Sequence, residues 1–388
     1  MLPVILLGGL NIVRALGHAG VPVIVATQDP HAPSTTSRYC AGVIELPPLA
    51  DREAVVETLL RAARPYGAQL PLFYDNDDRL ALVQDCRAAL APHFALLLNE
   101  PALADALLEK SRFQALAERT GLPVPRRIEW STLGPERGPI LVKPKTRTAW
   151  DDSSVRMQLF GGAGKARVFA DGRAARIDPL LAKLADKLQF QEYVPGGDES
   201  IWSFHGFAAP GGEVLASFVG RKIRTYPALT GDSSYLQLAE NESLQALGRG
   251  IAARLGLAGI FKMDFKRSSD TGRFYLLEVN TRFNLWHYLG AVNGVNLPKV
   301  AYDYLVHARK PSPVKAATRY RWLSLREDWR AHREGQLGFV DWLLSLAWFP
   351  KVYDIFAWGD PLPFVRYWTG RIRAALSRRM TRWLAPAS

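Results

Sequence analysis

Only two cysteines, Cys40 and Cys86, occur in 388 residues. That is too few for a disulfide-stapled secreted scaffold, and both read as small buried side chains, not reactive thiols. No uninterrupted apolar run of about twenty residues is present, so no helix is expected to span a membrane. The apolar N-terminus lacks a basic leader and runs directly into a strand–turn–helix pattern. It therefore reads as a first strand, with the cytoplasm as the default location. A complete G-x-G-x-x-G fingerprint is missing, which argues against a nicotinamide cofactor. There is no internal repeat and no low-complexity tract. What remains is an ordinary globular composition, 48% hydrophobic and 22% charged, in a chain long enough for two or three domains.

The net charge of +12 is unevenly placed. Residues 313–388 hold 13 Lys and Arg against 6 Asp and Glu, together with seven of the eleven tryptophans. Four regions are expected: an open α/β unit over 1–100, a linker helix and small lid over 101–190, a central sheet over 191–310, and a basic, Trp-rich helical extension over 311–388.

The N-terminal pattern is a strand at 4–8, a Gly8-Gly9 turn, a helix, and a second strand at 21–25, the opening of an open α/β sheet. The glycine turn either presents backbone N–H groups to an anion or is a tight turn that needs glycine. Strand Leu70–Tyr74 ends in Asp75-Asn76-Asp77-Asp78. These acids either meet a cationic substrate group at the strand ends or cap the next helix, with the cap slightly favoured.

The densest chemistry lies in residues 259–287. Two apolar runs flank the turn Ser268–Gly272 and predict an antiparallel hairpin. Side chains alternate along a strand, so Glu278 and Asn280 share a face, Asp264 can meet them from the partner strand, and Arg282 follows on the same side. Two carboxylates and an amide oxygen form a set of hard oxygen donors suited to Mg²⁺ beside nucleotide phosphates, with Mn²⁺ as an alternative.

Asp264 followed by Glu278-x-Asn280-x-Arg282 resembles the metal-binding end of the ATP-grasp superfamily, and other landmarks occur in order over roughly the first three hundred residues. The nearest resemblance is to the carboxylate–amine ligase branch, which includes D-aspartate ligase-like enzymes. It implies an α/β fold with an N-terminal open sheet, a lid and a central antiparallel sheet. It implies ATP as co-substrate, with Lys110 and Lys143 on the phosphates and Lys165 a weaker third. Gln191-Glu192-Tyr193-Val194 becomes the hinge whose backbone meets the adenine edge, with Val194 packing on the ring. Asp198, or Glu199 after a one-residue slip, becomes the ribose acceptor. The first hinge position is often acidic in the family; here it is Gln191. Phosphate cover falls to Ser153 and Ser154 in the loop 146–155, or to Gly161–Gly164.

The resemblance further implies that a carboxylate becomes an acylphosphate which an amine then displaces. Lys262 would reach the transferring phosphate, and Arg282 would fork onto the acylphosphate or the substrate carboxylate. Arg221 and Lys222, in the cluster Arg221-Lys222-Ile223-Arg224, are expected to bind an anionic substrate; the flanking sequence does not favour nucleic acid. Biotin-carboxylase-like members continue Arg-x-Gln-Val-Glu-His, where the glutamate deprotonates bicarbonate. Trp286 stands at that position and cannot accept a proton, which disfavours bicarbonate chemistry. His287 is either a base or a structural histidine.

The helix at 361–384 and the apolar run 339–349 either contact an anionic membrane or pack on the body or a second subunit. The competing function is a catalytically silent ATP-binding regulatory or assembly protein at a membrane surface. The partners expected otherwise are small acids and amines, or an envelope precursor, and a homodimer is a further expectation.

Overall fold

The computed structural model describes residues 1–134, 138–145, 153–160, 166–228 and 231–372. Three sheets organise them. The first is parallel, in the order β3-β2-β1-β4-β5, with β1 at Val4–Leu7, β2 at Val23–Thr27, β3 at Cys40–Glu45, β4 at Leu70–Tyr74 and β5 at Phe94–Ala95. Every β1 and β4 residue is buried. Such continuous apolar runs suit strands covered on both faces.

A small sheet of β6 (Arg127–Ile128), β9 (Leu188–Glu192), β7 (Ile140–Pro144) and β8 (Arg167–Phe169) follows. It packs its own core around Ile128, Val142, Phe190 and Leu181. The linker helix expected at the start of 101–190 is two helices, Pro101–Leu108 and Lys110–Arg119. Glu109 between them is extended (φ −107°, ψ 124°), and its carboxylate pairs with Arg112 at 2.8 Å.

The third sheet has seven strands in the order β14-β13-β10-β11-β12-β15-β16. They are β10 Ile201–Ala209, β11 Glu213–Tyr226, β12 Asp232–Leu238, β13 Gly259–Arg267, β14 Phe274–Asn280, β15 Arg321–Leu323 and β16 Lys351–Tyr353. One face carries Phe204, Phe261, Met263 and Phe265 beneath the helix Glu242–Leu255. That helix is bounded by an Asn241 cap and a left-handed Gly256 (φ 64°). The other face is partly covered by Trp286–Val292 and Leu297–His307. Gly220 is required here, because a Cβ would lie 2.2 Å from the Trp286 ring.

The C-terminal extension is not purely helical. Two of its segments, β15 and β16, lengthen the central sheet, because Trp322 and Val352 bury apolar surface in the same core as Leu236. Its helices are Leu325–Arg333, Phe339–Ala347 and 362–372. Among the described residues, no helix is long and apolar enough to cross a membrane.

Candidate functional site

The β13–β14 hairpin sets the site. Asp264 pairs in register with Glu278, and Lys262 with Asn280. Directly opposed residues of antiparallel strands share a face, so all four side chains project together. On the other side of β13, Asp264 opposes Ser203 and Lys262 opposes His205. The Ser203 hydroxyl donates to the Asp264 carboxylate. The Lys262 ammonium lies 2.6 Å from that carboxylate. Asn280 donates its amide N–H to Glu278 at 3.0 Å and accepts from Arg282 at 3.3 Å.

Asp264 is 6% exposed. Burial raises its pKa, but the Lys262 and Lys222 charges outweigh this and hold it at about 2. It is therefore an anion throughout the neutral range. Burial lowers the Lys222 pKa, while Asp264 and Glu278 act against that effect. Burial and then the Lys110 charge bring Lys143 down to about 8, opposed by Glu278. Lys110, Lys143 and Glu278 thus act on one another across the space between lid and central sheet. Lys110 opens its helix, and Lys143 lies on β7.

Arg282 is held from the N-terminal sheet. Its Nε donates to Asp77 at 2.5 Å. Asn76 caps the helix Asp77–Asp85, with Asp77 and Asp78 in its first turn, as the cap interpretation predicts. Asp75 is also engaged: it accepts from Gly9 N–H at 2.6 Å and from Arg79 at 2.5 Å. The anion at the Gly8-Gly9 turn is therefore Asp75 itself. Asp75 and Asp77 face arginines and a backbone amide, not an open pocket for an amine.

At the hinge, the Glu192 carboxylate accepts from Arg126 N–H at 2.9 Å. The N–H groups of Glu192 and Tyr193 donate to Arg126 and Pro139 carbonyls at 3.0 Å each. The Val194 N–H has no protein acceptor among the described residues, and Val194 is buried. The Gln191 side chain is buried with an unpartnered Oε1. Asp198 accepts from both the N–H and the hydroxyl of Thr225, at 2.7 and 2.8 Å. Beside it lies Lys266, its ammonium 4.3 Å from the centre of the Tyr193 ring. Burial brings Lys266 down to about 8, against the pull of Asp198 and Glu199.

Two expectations need correction. Arg221 opposes Trp202 and sits 5.8 Å over its ring, on the face opposite to Asp264. Only Lys222 of that pair faces the acids, because adjacent strand residues point to opposite sides. Arg224 is structural; it forks onto Asp328 with two bonds of 2.8 Å. The second correction concerns the loop expected over 146–155. Ser153 and Ser154 begin a helix, Ser153–Phe160. Residues 146–152, Gly161–Gly164 and Lys165 lie outside the described residues.

His287 is fully buried, and burial followed by the Lys262 and Arg282 charges lowers it to about 3. Its Nδ1 accepts from Asn284 N–H at 3.2 Å. It is neutral at physiological pH and too weak to serve as a base. Trp286 belongs to the core, 5.0 Å from the His205 ring.

Ser203 and Lys266 were not singled out from the sequence. Lys266 extends the period-two series Lys262, Asp264, Lys266, which is a readable signal. Ser203 depends on cross-strand register between distant segments and leaves no local trace.

The donor set fits a hard divalent cation by its chemistry: two carboxylates and one amide oxygen on one face. Among the described residues, no group of three or more His, Cys, Asp or Glu could hold a metal. The amide and phosphate oxygens would therefore have to complete the coordination.

Residues 191–326 match the family described as "ATP-grasp in the biosynthetic pathway with Ter operon". A carbamoyl-phosphate synthase from Methanobrevibacter smithii is 41% identical over 76 residues, 19% of this chain and 19% of that protein. The alignment thus spans under a fifth of that curated relative. Among solved structures, L-amino acid ligase from Bacillus licheniformis superposes with a TM-score of 0.55 at 14% identity, covering 78% of this chain and 73% of that one. The biotin carboxylase domain of Hydrogenobacter thermophilus 2-oxoglutarate carboxylase, in complex with MgADP, ADP and bicarbonate, gives 0.57 at 13% identity, covering 82% and 73%. These likenesses establish the fold. Over the central sheet, residues 191–326 are similar to that ATP-grasp family.

Proposed function

We propose that this protein is an ATP-dependent ligase that activates a carboxylate as an acylphosphate and joins it to an amine, releasing ADP and phosphate. The observation that carries this reading is the shared face of Asp264, Glu278, Asn280, Lys262 and Lys222, with Lys143 and Lys110 within electrostatic reach. A carboxylate oxygen would attack the γ-phosphorus as the bond to ADP breaks. An amine nitrogen would then attack the acyl carbon as phosphate departs.

Asp264, Glu278 and Asn280 would hold Mg²⁺, which when bound neutralises developing phosphate charge. Lys110 and Lys143 serve as point charges on the phosphates. Lys262 faces the transferring group. The Val194 N–H and the Glu192 carbonyl offer the adenine edge its partners, and Asp198 or Glu199 takes the ribose. Arg282, held in place by Asp77, addresses the acylphosphate or acid substrate. Trp286 in the core and neutral His287 leave no base at the position that would deprotonate bicarbonate, which favours an amine as the second substrate. Ser153 and Ser154, at a helix start, remain candidates for phosphate cover. Phosphate release from Mg-ATP that requires both an acid and an amine is the deciding measurement.

The assignment separates two adjacent basic residues. Lys222→Ala should lower kcat/KM for the acid by about 10²-fold, on the order of a lost charge-stabilising donor. Arg221→Ala, on the far face, should leave it within about threefold. Equal losses in steady-state assays would remove Lys222 from the site.

Lys143 supplies a pH signature. Its lowered pKa means that the free protein carries it partly neutral near pH 8. A bound polyphosphate favours the ammonium form, so ATP binding should take up protons near pH 8 and take up little near pH 6.5. Calorimetry in buffers of different ionisation enthalpy measures the uptake. Lys143→Arg, charged at every accessible pH, should reduce it. The same shift makes charged Lys143 a destabilising group below about pH 8, an effect relieved as pH rises towards its ordinary value of 10.5.

A further inference from the structure

The C-terminal extension presents its apolar side chains outward. Among the described residues, thirteen of the twenty-one exposed large hydrophobic side chains lie between residues 325 and 372. The helix Phe339–Ala347 is inverted relative to an ordinary surface helix. Its inward side carries Trp342, whose indole N–H donates to the buried Asp328 at 3.0 Å, and Ser345, whose hydroxyl accepts from Arg224 at 3.0 Å. Its outward side carries Phe339, Val340, Leu343 and Leu344, each about half exposed. The helix 362–372 repeats the pattern, with Leu362, Val365, Trp368 and Ile372 outward.

These surfaces are joined through the helix Leu325–Arg333. Its Trp329 lies 4.9 Å from Trp342, and its Arg326 donates to the Tyr367 hydroxyl at 3.1 Å. Between the two outer helices, Trp358 is 89% exposed. A patch of this extent is unusual on a surface meant only for water.

The charges at its edge decide what it faces. Lys351 pairs in register with Arg321 on adjacent strands. The Arg321 guanidinium lies 3.7 Å over the Phe349 ring, and the Lys351 ammonium caps the Phe349 carbonyl at 2.7 Å. Arg366 and Arg371 are exposed on the helix 362–372. Of the acids in residues 325–372, Asp328, Asp354 and Asp360 are withdrawn, accepting from Arg224, Ser324 and Arg14. Glu327 pairs with Arg330 and Glu334 accepts from Tyr226, which leaves Asp341, in the first turn of Phe339–Ala347, as the exposed acid of the face. Outward leucine, valine and tryptophan edged by lysine and arginine match the acyl and headgroup zones of an anionic lipid surface.

We infer that the face formed by helices Phe339–Ala347 and 362–372 docks on an anionic lipid surface. The docking is peripheral: among the described residues, no helix is long and apolar enough to cross. It is independent of the ligase reading.

The test is sedimentation of the full chain with vesicles of 30% phosphatidylglycerol in phosphatidylcholine, and with pure phosphatidylcholine. Binding should be at least tenfold stronger to the anionic vesicles and should weaken as salt is raised. The double variant L343E/L344E should lose at least tenfold in vesicle affinity while keeping the circular dichroism and thermal midpoint of the parent. As a second probe, Trp358→Ala should diminish the blue shift of tryptophan emission on binding. Absence of sedimentation, equal binding to both vesicle types, or undiminished binding by the double variant would overturn the inference. So would a concentration-dependent dimer abolished by L343E/L344E, which would assign the face to a second copy of the chain.

Discussion

Glu278→Ala should abolish phosphate release from Mg-ATP in the presence of acid and amine. Glu278 pairs with Asp264 across the hairpin and accepts from Asn280. It also acts to keep Lys143 charged. The substitution removes one of only two carboxylates in the donor set and strengthens the tendency of Lys143 to lose its proton. Metal-borne stabilisation of transferring phosphate is worth several kcal/mol, so kcat should fall on the order of a thousandfold or more. Glu278 is on a strand whose apolar anchors are Leu276 and Val279, so the fold should survive, and circular dichroism would verify that. The Mg²⁺ concentration needed for ATP binding should rise in parallel. Turnover within about tenfold of the parent would remove Glu278 from the reaction and with it the ligase assignment.

The hairpin was legible because three levels of local information agree there. Alternation fixes the faces, the polar Ser268–Gly272 segment fixes the turn, and the acids interrupt apolar runs. The structure adds register, and register decides the rest. Lys222 and Arg221 are neighbours of identical charge class, and composition cannot say which one faces Asp264. That depends on β11 pairing Arg221 with Trp202, a contact between residues nineteen positions apart. The acidic cluster was legible as a helix cap because capping is local. Its grip on Arg282, by contrast, spans more than two hundred residues. The C-terminal segment shows the same division. Its apolar and basic periodicity was visible, whereas the two short strands that join it to the sheet rest on β15 pairing with β12 and β16 with β15, and follow from no pattern of their own. Propensity is a weak guide for three-residue strands, whose existence is set by tertiary context.

That joining also defines the second large effect. Asp360→Ala should destabilise the protein by about 3–5 kcal/mol, the cost of breaking a buried ion pair from one side. Arg14 is fully buried, and Asp360 is 1% exposed. The guanidinium donates to the Asp360 carboxylate at 3.0 Å and to the Ile355 and Asp360 carbonyls at 2.7 and 3.1 Å. The carboxylate also takes the Ser37 hydroxyl at 2.7 Å and the Arg38 N–H at 2.8 Å. One residue of the extension thus closes an arrangement on the N-terminal sheet more than three hundred positions away. Deleting the carboxylate leaves a charged guanidinium without its counter-ion and two donors without an acceptor. The loss should appear as a lower urea midpoint. If unfolding remains a single transition, the whole chain shares the penalty. If it splits, the extension detaches first, because Asp360 is its link to the first sheet while Asp328 separately anchors it to the central one. Replacing both partners with apolar residues, Arg14→Met with Asp360→Leu, should recover a substantial part of the loss, since neither charge is then buried alone. A midpoint unchanged by Asp360→Ala would mean that Arg14 reaches water once its partner is gone, which its burial within the helix Leu10–Gly17 argues against.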